Sequence, residues 1–294
     1  MKFLSAAIII VATLLPPVFS TALHLDCRAS VPDNEYKSES LAIHEAAMKR
    51  DLVHPRNFNR RKINIGAHFT IITSGPKKEQ GHLGMDSINE QVKVLNQGFK
   101  RAGFTFWLKS VKHVNNAGWA HSDGNPGLED RQRQTRRGDY RALNIVVIPG
   151  LSNGGRCTFP GSFNEITLLR DRCEVGTTAL PHSGSGALGR VAIHEVGHWL
   201  GLMHTFENGC DGDGDQVDDT PAHIHNGPIA RCPPRGQEPD TCPGKPGKDP
   251  VRNFMSYFAE ECWSMQEGFT DGQIKRMYQQ WDHFRAKAPP KKLN

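Results

Sequence analysis

The 294-residue chain lacks a second apolar run of the kind that opens it, and even that first one is short. A membrane span needs about twenty consecutive apolar residues, whereas Ser5–Leu15 supplies about ten, the length of a signal-peptide core. Met1-Lys2-Phe3-Leu4 precedes this run and Ser20-Thr21-Ala22 follows it. Residues 1–20 therefore read as a secretory signal peptide, with cleavage expected after Ser20 or Ala22. The chain has no Asn-x-Ser/Thr sequon, so no N-glycosylation is expected. It has no internal repeats, which excludes solenoids and propellers. A formal net charge of +5 is small for the length. Its basic clusters, Arg50–Lys62 and Arg131–Arg141, have no interleaved aromatics, so they read as solvated faces and not as a nucleic-acid surface. With 23% charged and 37% hydrophobic residues the chain folds rather than remaining disordered. Its length allows one core or two lobes around a cleft.

What the chain does have is concentrated chemistry. Residues 194–204 read His-Glu-Val-Gly-His-Trp-Leu-Gly-Leu-Met-His, the H-E-x-x-H-x-x-G-x-x-H pattern of zinc proteases. His194 and His198 fall on one face of a helix, one turn apart. Gly201 can end that helix in a left-handed conformation without a Cβ penalty, and the chain can then bring His204 back as the third ligand. Three protein ligands leave the fourth position of a tetrahedral catalytic zinc to water. Glu195 follows the first ligand, so its carboxylate is placed for that water and not for the metal. It is the candidate general base, taking the proton and passing it to the leaving amine. Leu188, Val191, Ala192, Val196 and Trp199 interleave with the histidines as an apolar face should. A bare H-E-x-x-H arises by chance, but the longer motif on such a helix predicts a catalytic zinc. Further on, Asn253-Phe254-Met255-Ser256-Tyr257 fits the methionine turn that metzincins place beneath the zinc. Met255 would floor the imidazoles, and Tyr257 would offer its phenol to the oxyanion. The plainer alternative for Met255 is one more buried methionine.

These stretches resemble the pappalysin family of metzincins, in its branch of secreted microbial and fungal extracellular metalloproteases. The likeness runs through residues 194–206, Gly209-Cys210, Gly214-Asp215, Val217, Asp219-Thr220-Pro221, Cys232, Asp240-Thr241-Cys242, residues 253–257, Cys262 and Phe269-Thr270. Upstream, Leu143–Ile148 and Thr158-Phe159-Pro160 resemble the family's edge strand and the segment after it. The resemblance covers residues 60–285 and is strongest from Gly184 onward. It implies an α+β, metzincin-like fold: a twisted mixed β-sheet with backing helices and the zinc helix, plus an irregular disulfide-rich C-terminal lobe. It implies peptide-bond hydrolysis with one catalytic zinc. It also implies a structural calcium held by Asp215, the Val217 carbonyl and Thr220. The acidic run Asp211–Asp219 is no EF-hand, since Gln216 stands at the required glycine and Ala222 at the bidentate glutamate. Without a cation it is a solvated loop.

Of seven cysteines, six flank or follow the motif. Six allow fifteen pairings, and spacing does not choose among them. The resemblance implies Cys210–Cys242 and Cys232–Cys262, and leaves Cys157–Cys173 as a third pair. Secretion permits all three. Cys27 is the odd one. It reads as a free thiol, as an intermolecular bridge, or as a latency switch whose thiolate holds the fourth zinc position until its segment is cleaved. On the switch reading, Cys27→Ser makes the unprocessed protein active in a peptide-cleavage assay; a variant as latent as its parent would remove that reading.

Residues 21–56 are polar around one helical run, Glu39–Arg50, and read as an N-terminal extension or pro-segment, with Arg60-Arg61-Lys62 a candidate processing site. Residues 57–287 read as the catalytic domain and 288–294 as a tail. Alternation at Ile63, Ile65, Ala67, Phe69 and Ile71 predicts a strand. A helix is expected over Ser87–Arg101, a strand over Phe104–Val114 and a charged surface helix over Glu129–Ala142. Leu143–Ile148 reads as a short buried or edge strand, Ile166–Leu169 as another, and Thr270–Phe284 as an amphipathic helix. Residues 222–250, rich in proline and glycine, predict a loop able to shape specificity. The expected molecule is a secreted, extracellular, monomeric zinc endopeptidase acting on extracellular proteins or peptides, with no nucleic-acid partner and no membrane span. Two other classes stay open. One is a silent zinc protein that binds a partner, against which the presence of Glu195 speaks; the other is a zinc hydrolase of non-peptide amides.

Overall fold

The computed structural model describes residues 32–53, 60–121, 128–151, 154–225 and 232–291. The signal segment and Cys27 lie outside them. In chain order the elements are α1 (Asn34–Val53), β1 (Ile63–Thr73), α2 (Met85–Gly98), β2 (Phe104–Asn115), α3 (Ala117–Ala120) and α4 (Leu128–Thr135). Then come β3 (Leu143–Ile148), β4 (Gly155–Cys157), α5 (Glu165–Arg170), β5 (Cys173–Gly176), α6 (Val191–Trp199) and α7 (Asp271–Gln280). The described strands form a five-stranded sheet in the order β2-β1-β3-β5-β4. Its neighbours pair in parallel except β4, which runs antiparallel to β5 at one edge. The fold is the mixed sheet with backing helices that the resemblance implies.

Burial explains the order. All six residues of β3 are buried, as a central parallel strand covered on both faces requires. Of the two readings of Leu143–Ile148, buried or edge strand, the buried one holds and the likeness to an edge strand is corrected: the edges are β2 and β4, and the three residues of β4 are too few to show a period. On β1 the alternating Ile63, Ile65, Ala67, Phe69 and Ile71 all enter the main core. The same core takes in Ile88 and Leu95 of α2, Phe99 just after it, and Val191, Ala192 and Val196 of α6.

Three local expectations are corrected. Ile166–Leu169 lies in helix α5, not in a strand, because Asn164 caps it by accepting from the Ile166 and Thr167 backbone N–H groups. A short apolar run cannot by itself tell strand from helix. The helix expected over Glu129–Ala142 ends at Thr135, and Gly138 beyond it is left-handed at φ 75°. The arginines of that segment are a solvated face only in part: Arg133 is exposed, but Arg131 and Arg136 are buried. Arg131, Arg156 and Arg172 surround the buried Glu174 of β5 at 2.6–2.8 Å. Burial alone would raise the Glu174 pKa, yet the three guanidiniums hold it down at about 2. Arg136 approaches Asp171. Arg285 pairs with Asp171 at 2.9 Å, lies 3.6 Å over the Trp199 ring and donates to the Trp199 carbonyl at 3.0 Å. The C-terminal end of α6 is thereby tied to the last turn of the chain.

Between α6 and α7 the described chain carries no helix or strand. Cys210–Cys242 and Cys232–Cys262 overlap in sequence and staple this lobe, while Cys157–Cys173 joins β4 to β5. Loops of such length are worth about 3–4 kcal/mol each in the chain-entropy account. α1 is longer than the Glu39–Arg50 run, because Asp33 accepts from the Tyr36 N–H at 2.7 Å and starts it earlier. It is also docked: the buried Ser40 hydroxyl accepts from Arg276 and Gln280 of α7 and donates to Gln216 at 3.0 Å. α7 runs to Gln280 and continues as a π turn over Trp281–Arg285, in keeping with the helix expected over Thr270–Phe284.

Candidate active site and metal centre

All nine residues of α6 are buried, so its histidines project into the interior and not into solvent. Leu188 is the exception to the expected apolar face: it precedes the helix and is exposed. The approach to α6 is held instead by Glu260, which accepts from the Leu188 and Arg190 N–H groups at 2.7 and 3.0 Å. Gly201 is left-handed at φ 93°, and its N–H donates to the His198 carbonyl at 2.8 Å. The chain reverses there and returns His204 to the helix face.

The outcome is a convergent triad. His198 Nε2 lies 3.0 Å from His194 Nε2 and 3.1 Å from His204 Nε2, and the three side chains could hold one metal ion. The other ring nitrogens face carbonyls: His194 Nδ1 is 2.6 Å from the Phe254 oxygen and His198 Nδ1 is 2.8 Å from that of Leu202. A carbonyl only accepts, so each Nδ1 carries the proton and each Nε2 keeps its lone pair for the centre. Burial holds the His194 pKa down at about 4 and those of His198 and His204 well below the usual histidine range. Neutral imidazole is the metal-binding form. The donor set, its tautomers and its desolvation all fit a zinc ion.

Glu195 is fully buried on the same helix. Its side chain lies against Gly155 of β4. Met255 is fully buried beneath the helix, and a Cβ on Gly197 would come 2.4 Å from its sulfur. The Met255 carbonyl accepts from the Thr205 N–H at 3.1 Å, so the turn is fastened to the residue after His204. The Tyr257 ring stands 4.7 Å from that of His204 and 5.7 Å from that of His194. The structure thus brings His194, Glu195, His198, His204, Met255 and Tyr257 together. Sequence reasoning missed the two carbonyls, the Trp263 ring stacked on His194 and the Phe159 ring on the edge of His198. Carbonyls carry no sequence signal, and Phe159 and Trp263 stand far along the chain from the histidine motif that they meet in space.

A family profile described as pregnancy-associated plasma protein-A, peptidase M43, matches residues 176–282. The chain is 36% identical over 266 residues to extracellular metalloprotease 1 of Coccidioides posadasii, covering 87% of this chain and 89% of that one. It is 35% identical over 231 residues to an extracellular metalloprotease of Pyricularia oryzae, covering 76% and 77%. The chain belongs to the pappalysin family. It is a metalloendopeptidase. Solved structures under a quarter identical show the same fold. A variant of Tannerella forsythia promirolysin aligns with TM-score 0.65 at 21% identity, over 85% of this chain and 89% of that one. Mature mirolysin from the same organism, in complex with a cleaved peptide, aligns with TM-score 0.59 at 22% identity, over 74% and 90%.

In this pappalysin the loop beyond the third histidine holds a second polar centre. Asp215 is buried, and its Oδ1 accepts from the Val217 N–H at 3.1 Å and the Thr220 hydroxyl at 2.7 Å. Its Oδ2 is buried with no hydrogen-bond partner among the described residues. Burial pushes the Asp215 pKa up to about 7. The Thr220 hydroxyl also lies 2.8 Å from the Val217 carbonyl. An orphaned carboxylate oxygen beside a carbonyl and a hydroxyl fits a hard cation. Gln216, between these groups, is left-handed at φ 59°.

Proposed function

We propose that this pappalysin is a secreted zinc endopeptidase of extracellular proteins, with residues 57–287 as its catalytic domain, 1–20 as its signal and 21–56 as an N-terminal extension or pro-segment. The observation that carries this reading is the convergence of three neutral imidazoles, two of them on α6, beside the buried carboxylate of the same helix. His194, His198 and His204 hold the metal. When bound, zinc supplies Lewis acidity toward water and the scissile carbonyl. Glu195 accepts the proton of the attacking water at its carboxylate and delivers it to the leaving amine. Tyr257, whose ring abuts His204, donates its phenol to the oxyanion. Secretion is supported by the N-terminal segment and by the relatives' designation as extracellular. No helix among the described residues is long and apolar enough to cross a membrane.

The test is release of new N-termini from casein or gelatin by the mature protein, abolished by a chelator and restored by zinc. A folded, zinc-loaded protein that released none would favour the silent binding role. Tyr257→Phe should lower kcat by about a hundredfold, as loss of one oxyanion donor does elsewhere, with KM little changed; a kcat equal to wild type would take Tyr257 out of the mechanism. Asp215, the Val217 carbonyl and Thr220 are assigned to a structural calcium. Millimolar calcium should raise the melting midpoint of chelator-stripped protein but not of Asp215→Asn. Equal midpoints with and without calcium in the parent would remove the assignment.

A further inference from the structure

We infer that Gly155 is a positioning residue for Glu195: the bare Cα of the edge strand is the wall against which the carboxylate is set, and a single methyl there displaces it. The inference rests on the general-base reading of Glu195. A Cβ built on Gly155 would lie 2.6 Å from Glu195 Cγ, 2.7 Å from Oε1 and 2.9 Å from Cδ. Ordinary contact begins near 3.4 Å, so something must move by nearly an ångström.

The strand cannot be what moves. Gly155 pairs with Val175, and two residues on Cys157 is both in register with and disulfide-bonded to Cys173. Arg156, between them, donates to the buried Glu174 at 2.6 Å. One residue before, the Gly154 carbonyl accepts from the Gly176 N–H at 2.8 Å. Nor can the helix retreat, since Ala192, Ile193 and Val196 on either side of Glu195 are fully buried in the main core. The soft coordinates are the side-chain torsions of Glu195 itself. Because Cγ is the nearest atom, the side chain must turn from its first torsion onward into another staggered rotamer. That turn would carry the carboxylate out of reach of the proton it must take, and a misplacement of about 1 Å can lower a rate about a hundredfold.

The experiment compares Gly155→Ala, Glu195→Ala and the double variant in the mature, zinc-loaded protein. Gly161→Ala serves as control, because nothing lies within 4 Å of a Cβ at that position. Gly155→Ala should bind one zinc per chain and lose about a hundredfold in kcat with KM nearly unchanged. Glu195→Ala removes Cγ and everything beyond it, the atoms the new methyl would meet. In the double variant the methyl should therefore cost no rate beyond the loss in Glu195→Ala alone. Should Gly155→Ala be unstable instead, Glu195→Ala should restore its midpoint. A wild-type kcat in Gly155→Ala, or a methyl that lowers the rate or midpoint of Glu195→Ala as much as it lowers that of wild type, overturns the inference. Failure of the underlying reading looks different: Glu195→Gln would then be fully active whatever stands at position 155.

Discussion

Glu195→Gln is expected to lower kcat/KM for protein substrates by about 10²- to 10⁴-fold, the range that a positioned general base supplies. That corresponds to about 3–5 kcal/mol of lost transition-state stabilisation. The substitution is close to isosteric, so the packing of this fully buried side chain against Gly155 and the main core survives. What disappears is the ability to accept a proton. Zinc content should be unchanged, because the three Nε2 atoms that converge are those of His194, His198 and His204 and no part of the triad is Glu195. The melting midpoint should not fall, since a buried carboxylate is replaced by a group that is less costly to desolvate. Rates of N-terminus release, metal content and a thermal melt measured on one preparation check all three. A variant with normal zinc and normal fold that kept activity within tenfold of wild type would remove the general base from the mechanism.

The chemistry of this chain was more legible than its architecture, and the reason is physical. Residues i and i+4 on a helix are neighbours by geometry alone, so the spacing of His194 and His198 places two ligands without tertiary information. A glycine before a reversal is a local requirement too, and Gly201 meets it with φ 93°. The β4 edge of the sheet was not legible. β4 and β5 have three and four residues, fewer than an alternation needs to declare itself, and their pairing is fixed by partners far off in sequence. Arg131 and Arg136 were misplaced for a related reason. Arginine is exposed by default, and what pulls these two inward is Glu174 and Asp171, more than thirty residues away. The start of α1 is a different case. Asp33 caps the Tyr36 N–H, and an aspartate at that point is a helix-start signal that could have been read. The Phe254 and Leu202 carbonyls that fix the histidine tautomers have no counterpart in the sequence. They follow from the methionine turn and the Gly201 reversal passing close to the rings.

Gly201→Ala should weaken zinc binding and stability together, because one residue serves the turn, the packing and the third ligand. Its φ of 93° lies in the left-handed region, where an L-residue costs roughly 1–2 kcal/mol. The added Cβ would also stand 2.5 Å from Gln280 Cγ and 3.0 Å from the Tyr36 hydroxyl, an overpacking that costs about 1–3 kcal/mol. Relief requires the peptide to rotate. The Gly201 carbonyl, however, accepts from Tyr36 of α1 at 2.9 Å and from Arg276 of α7 at 2.8 Å, so rotation breaks two buried hydrogen bonds. It also moves Leu202, whose carbonyl fixes the His198 tautomer, and His204 beyond it. The combined penalty of about 2–5 kcal/mol should lower the melting midpoint of the metal-free protein by roughly 5–15 °C. Zinc binds the folded state alone, so its looser binding should deepen the deficit when metal is present. Melts with and without zinc, and competition against a chelator of known affinity, separate the two effects. A variant that lost stability yet held zinc as tightly as wild type would show that the reversal at Gly201 supports the fold without setting His204, and the link from glycine to third ligand would have to be abandoned.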